Sequence, residues 1–210
     1  MLQFCGLYKF QFDQKSNHKN SFGNPINSPP VNSAFNPSSI ISFSSYYFHT
    51  ILITKDGSIM AIGNNTKGII NGSFPKEITT NFTKFEIKNQ EGNAFIPISA
   101  VCGESYTLYL LSTSQESHKT CLAYTYSGLK TDSPIFLNIG DVNSIALFGG
   151  FSHSAAIDDK GSIIFIPKSI FKMPNALIES TSLPNDEKAV SIACCNHFIF
   201  VVGSNGGVFV

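Results

Sequence analysis

The chain has 210 residues with 14 basic and 14 acidic side chains, a formal net charge of zero, and a charged fraction of 13%, against about 25% in ordinary soluble domains. Zero net charge excludes a grip on nucleic acid built mainly on phosphate neutralisation, which needs a basic excess. A hydrophobic fraction of 42% with 19 Phe excludes a coreless chain, and the abundance of Ser, Asn, Gly and Pro disfavours a helical bundle.

The first ten residues alternate polar and apolar types, without the basic and continuously apolar segments of a secretory signal. No apolar run approaches the roughly 20 residues that a membrane helix needs. The five cysteines, Cys5, Cys102, Cys121, Cys194 and Cys195, form an odd set without Cys-x-x-Cys spacing. That pattern predicts free thiols in a reducing, intracellular compartment, cytoplasmic or nuclear. Asn64, Asn71 and Asn81 each open an Asn-x-Ser/Thr triplet, which carries no weight without a secretory signal.

In chain order, residues 1–39 read as a partial first unit and a linker, with a strand over Leu7–Phe12 followed by Phe22-Gly23. Residues 40–93 hold the clearest unit: a lead-in strand from Ile40, an apolar strand after His49, a turn at Lys55-Asp56-Gly57-Ser58, and a second apolar strand ending at Gly63. Asp-Gly between apolar runs is a strong hairpin signal because Gly accepts the positive φ of a tight turn. Residues 94–143 repeat the unit with Tyr106 in place of the histidine and a longer link, Ser112–Lys119. Residues 144–188 repeat it with His153 and a turn at Asp159-Lys160-Gly161. Residues 189–210 hold a final partial copy with His197 and a turn at Asn205-Gly206-Gly207.

Spacing the column at 49, 106, 153 and 197 gives a period near the ~40–50 residues of propeller blades. The Pro- and Asn-rich links between units suit loops or outer edge strands. Near-continuous apolar strands such as Thr50–Thr54 suit sheets covered on both faces. The expectation is one all-β domain, a β-propeller of about four blades, incomplete or closed by Leu7–Phe12 joining the last blade near Val208.

The order Phe48-His49-Thr50, Lys55-Asp56-Gly57, then Ile62-Gly63-Asn64-Asn65-Thr66-Lys67-Gly68 resembles the repeat of the regulator of chromosome condensation family. Cys-Gly or Gly-Gly pairs recur ahead of the column residue. The chain departs from the family in lacking tryptophan after the second strand and in ending the motif Gly68-Ile69-Ile70-Asn71. The resemblance implies that the histidine column makes structural hydrogen bonds within each blade. It also implies a regulator or scaffold, with guanine nucleotide exchange on a small GTPase as the alternative.

No pattern for catalysis emerges. There is no Gly-x-Ser-x-Gly elbow and no Gly-x-x-x-x-Gly-Lys-Ser/Thr phosphate loop. Asp56, Asp158 and Asp159 have turn chemistry as their reason. The expectation is a non-catalytic protein-interaction module, without metal or cofactor, that binds a protein partner through loops on its rim. Tyr46, Tyr47 and Phe151 are the candidate aromatic anchors of that rim. The competing role for Tyr47 and Phe151 is packing between blades.

Overall fold

The computed structural model describes residues 37–71, 78–89, 91–112, 119–129, 133–139, 143–167, 169–170, 173 and 177–210. The expected strand Leu7–Phe12 and its closure onto the last blade lie outside the described residues. What is described is nearly all β: four antiparallel sheets in chain order, with short 3-10 turns such as Pro37–Ser39 and Pro184–Asp186.

Sheet 1 has the order β1-β2-β3-β4, from Ile40–Tyr46, His49–Thr54, Ile59–Asn64 and Ile78–Phe85. Sheet 2 contains β5 (Ile96–Cys102), β6 (Tyr106–Ser112), β7 (Thr120–Tyr126) and β8 (Ile135–Phe136). Sheet 3 contains β9 (Ser144–Gly149), β10 (His153–Asp158), β11 (Ile163–Pro167) and β12 (Ser180–Thr181). Sheet 4 has three strands, β13 (Ala189–Cys194), β14 (Ile199–Gly203) and β15 (Val208–Phe209). Every sheet is a meander in which consecutive strands pair antiparallel.

The turns between second and third strands repeat one geometry. Gly57, Gly161 and Gly206 take φ of +76°, +84° and +84°, the region open to glycine at little cost. Each closes a backbone hydrogen bond to the end of the second strand: Gly57 N–H to Thr54 O (2.9 Å), Gly161 N–H to Asp158 O (3.1 Å) and Gly206 N–H to Gly203 O (3.0 Å). Asp56 serves the first turn by accepting from Ser58 Oγ at 3.0 Å. In the third sheet the preceding strand residue, Asp158, does this by accepting from Lys160 N–H and Ser162 N–H at 2.9 and 2.7 Å.

Three apolar clusters fill the junctions between successive sheets. Ile51 and Ile53 of β2 meet Ala100 and Tyr109 of sheet 2. Leu108 and Leu110 of β6 meet Leu147 and Ala156 of sheet 3, and Ala155 and Ile157 of β10 meet Ile192 and Val201 of sheet 4. The second strands β2, β6 and β10 are buried along their whole length because both of their faces are covered.

Hydrogen bonds cross the same junctions. His49 Nε2 lies 2.7 Å from Thr107 Oγ1 in the next sheet. Thr107 commits its hydroxyl proton to Ile69 O at 2.6 Å, so His49 donates through Nε2–H and its Nδ1 is unprotonated. Tyr106 donates toward Gly150 O and His153 O, both at 2.9 Å, and accepts from Ser154 Oγ at 2.7 Å. His153 Nε2 donates to Phe198 O at 3.2 Å. The column residues thus bind the following sheet, where the family resemblance led us to expect ties within a blade. The reason is steric: the column residue opens a second strand whose faces both abut neighbours.

The structure also corrects the column in sheet 4. Cys194 pairs with Ile199 as Gly149 pairs with Ser154 and Cys102 with Thr107. Cys195 N–H bonds Phe198 O as Gly150 N–H bonds His153 O and Gly103 N–H bonds Tyr106 O. Phe198 therefore occupies the column, and His197 lies exposed in the loop before it.

The segment after β3 explains the Gly-Asn-Asn signature. Asn65 is fully buried; its amide donates to Asn71 O at 2.8 Å and its Oδ1 accepts from Ile70 N–H at 2.8 Å. That side chain folds 65–71 into a loop whose carbonyls face sheet 2. Ile69 O accepts from Thr125 Oγ1 at 2.7 Å as well as from Thr107, and Ile70 O accepts from Tyr109 Oη at 2.5 Å. Ile69 and Ile70, the departure from the family ending, fill the first junction.

Two outcomes test this account. Removing the Tyr106 hydroxyl (Tyr106→Phe) leaves a buried serine donor and two carbonyls without their partner, and should cost about 1–3 kcal/mol in urea unfolding with an unchanged m value. His49 supplies a pH test, because burial holds its imidazole down at about 3 from the ordinary 6.5. The unfolded chain then binds the proton first, so stability is complete above pH 6.5 and falls as pH drops toward 3. The expected loss from His49 is about 2 kcal/mol between pH 7 and pH 5, and it should vanish from the slope in His49→Gln.

Candidate functional site

The first strands of the four sheets, β1, β5, β9 and β13, stand side by side. Their C-terminal ends line one cavity of about 420 Å³, formed by Ser44–Tyr46, Val101 and Cys102, Leu147–Gly149, and Ile192–Cys194. The loops that lead from these strands into the second strands surround it. They are residues 47–48, 103–105, 150–152 and 195–198.

Neighbouring sheets are bonded to one another around the cavity, between the inner strands β1 and β5 and between the later loops. Cys102 N–H donates to Ser44 Oγ at 2.9 Å, and its thiol donates to Ser44 O at 3.3 Å. Glu104 N–H reaches Phe151 O at 3.4 Å, and Ser152 Oγ donates to Asn196 O at 3.2 Å. The rim is therefore a linked surface on a rigid scaffold, the setting in which loops commonly carry recognition.

Close approach around the cavity demands small residues. A Cβ on Gly103 would run into the Tyr106 ring, and one on Gly150 would stand 2.7 Å from Cys194 Cβ. This is the physical content of the Cys-Gly and Gly-Gly pairs. Cys102 and Cys194 fit as compact apolar groups. Burial pushes their thiols up to about 12 and about 11, so both are protonated at neutral pH and poor nucleophiles.

Of the three candidate anchors, Tyr46 is half-buried and lines the cavity. Its phenol is held above the ordinary value of 10 by burial first, then by Tyr47 and Glu104, so it presents a neutral hydroxyl. Tyr47 is 52% exposed and stands edge-on to Tyr46, with ring centroids 4.8 Å apart. It projects from the rim and does not pack between sheets. Phe151 is half-buried, with its backbone carbonyl in the link to Glu104. Phe48, in the same segment before the column histidine but not among the three anchors, is 43% exposed beside Tyr47.

The histidines do not converge here. His49 and His153 sit in separate junctions and His197 is on the rim. Among the described residues no three His, Cys, Asp or Glu side chains gather into a metal-binding group. Nor is any helix of the described residues long and apolar enough to cross a membrane.

Residues 40–69 match the regulator of chromosome condensation (RCC1) repeat. None of the curated proteins matches the chain by sequence. Among solved structures, human WBSCR16 is similar over 86% of this chain and 49% of its own, at 16% identity and a TM-score of 0.62. Prp20p from Saccharomyces cerevisiae is similar over 88% of this chain and 47% of its own, at 18% identity and a TM-score of 0.57. In the complex of Kap60 with yeast RCC1 (Prp20), the similarity covers 85% of this chain and 44% of the other, at 17% identity and a TM-score of 0.55. The chain spans about half the length of these structures. It carries an RCC1 repeat at residues 40–69, within a fold of four sheets like that of the RCC1 β-propellers.

Proposed function

We propose that residues 1–210 act as one propeller-like, non-catalytic module inside the cell, binding a protein partner at the cavity mouth through Tyr46, Tyr47 and Phe151. The observation that carries this reading is the convergence of four inner-strand ends on one cavity, beside a rim in which three of the loops are bonded in series and the fourth offers an exposed aromatic edge. Aromatic groups beside a pocket are the usual centres of protein interfaces. The similar yeast structures support the class of partner: one is described with its binding to Gsp1p and histones, the other bound to Kap60.

The second reading, nucleotide exchange on a small GTPase, draws on the likeness to Prp20p. We rank it below simple binding, because no motif in the chain answers to an exchange element. On the binding reading, a panel of small GTPases loaded with a fluorescent guanine nucleotide should release it no faster when the chain is added. For the rim itself, the doubly substituted Tyr47→Ser, Phe151→Ser protein should bind its captured partner about tenfold or more weakly, the loss expected of a central aromatic anchor. Its thermal unfolding should be unchanged. Full retention of the partner by that variant would count against the rim, and accelerated nucleotide release would replace binding with exchange.

A further inference from the structure

The mouth of the cavity is poor in charge. Among the described residues that line it and form its four loops, none is Lys or Arg, and Glu104 is the only carboxylate. His197, in the loop of sheet 4, is the other group there that gains a charge near neutral pH. Glu104 is half-buried in the loop of sheet 2, and its N–H reaches Phe151 O of sheet 3 at 3.4 Å. On the other side, burial first and then Tyr47 and Glu104 hold the Tyr46 phenol above its ordinary value, which puts the Glu104 carboxylate near that hydroxyl.

One carboxylate therefore lies between two of the aromatic anchors, Tyr46 and Phe151, and the aromatic surface continues outward from the first. Tyr47 meets Tyr46 at 4.8 Å and Phe48 at 6.3 Å between ring centroids, and both Tyr47 and Phe48 are exposed. An aromatic ring beside a carboxylate attracts a cation twice, through the ring quadrupole and through the charge. The walls beneath are apolar, from Val101, Leu147, Phe148 and Ile192, and suit the methylene stem of a long basic side chain. A partner seated on the mouth takes Glu104 out of water. An apolar anchor would leave that carboxylate uncompensated and an acidic one would repel it, whereas a basic side chain offsets the desolvation with a charge pair.

We propose that the partner enters this mouth with an arginine or lysine side chain, its stem on the apolar walls and its cationic head at Glu104 beside the tyrosine pair. The inference rests on the rim reading above and names the chemistry that the rim selects. It asks of Glu104 only its charge and of Tyr47 only its exposed ring. Arginine fits better than lysine, because its planar head stacks on a ring and meets a carboxylate through two parallel hydrogen bonds.

Fluorescence anisotropy with the full chain tests it, using labelled Gly/Ser peptides of one length that carry arginine, lysine, norleucine or glutamate at their centre. The basic peptides should bind saturably, and the norleucine and glutamate peptides should not bind at about millimolar concentration. Glu104→Gln keeps the side chain's shape and removes its charge, and should weaken the arginine peptide about tenfold or more. Tyr47→Ser should weaken it roughly threefold. Glu104→Lys should lose the arginine peptide and gain the glutamate one, a reversal that a misfolded variant would not give. Equal binding of the arginine peptide by wild type and Glu104→Gln overturns the proposal. So does a norleucine peptide that binds as tightly as the arginine one, or the failure of both basic peptides to bind. The captured partner separates this inference from the rim reading. If the Tyr47→Ser, Phe151→Ser protein loses that partner while Glu104→Gln keeps it, the rim stands and the basic side chain is overturned; if neither weakens it, both are overturned.

Discussion

The structure depends on how one sheet grips the next. The residue that opens each second strand reaches across the junction: His49 to Thr107, Tyr106 to the backbone around Gly150 and His153, and His153 to Phe198 O. These bonds lie at the edge of apolar layers that supply most of the stabilisation through burial. Their contribution is to fix register. An apolar layer alone tolerates sliding, whereas a buried donor displaced by an ångström loses its acceptor and pays the desolvation cost. His49 shows how demanding the site is, since burial leaves its ring neutral and its Nδ1 without a hydrogen-bond partner among the described residues.

The cavity mouth follows from the same geometry. Because the column residue stands at the start of the second strand, the loop before it must pass close to the end of the neighbouring inner strand. Gly103 and Gly150 make that approach sterically open, and Cys102 and Cys194 fill the remaining space without charge. A ring of small residues with aromatic groups at its rim is thus a consequence of how the sheets pack. Tyr46 and Tyr47 sit where sheet 1 has no glycine in the loop, and they stand edge to face at the mouth.

Much of the sheet order was legible in the residues, because turn chemistry is local. Gly57, Gly161 and Gly206 mark the three tight turns through a requirement on their own φ. The direction of the column bonds was not legible. A histidine at a strand start can bond within its sheet or across to the next, and only the stacking of sheets decides. The column in sheet 4 also escaped, because His197 and Phe198 are adjacent and the strand pairing of Cys194 with Ile199 selects the second. The exposure of Tyr47 and Phe48 was equally hidden, since aromatic residues in a repeat suit a core as well as a rim.

The sequence by itself determined the all-β class, the repeat of strand, turn and strand, and the glycines before the column in sheets 2 and 3, since all rest on interactions a few residues apart. Tertiary structure alone decided what those repeats touch. It set the bonds from each sheet into the next and the gathering of four inner-strand ends around one cavity. Each joins residues some 44 to 58 positions apart, a separation over which composition and spacing carry no information about contact.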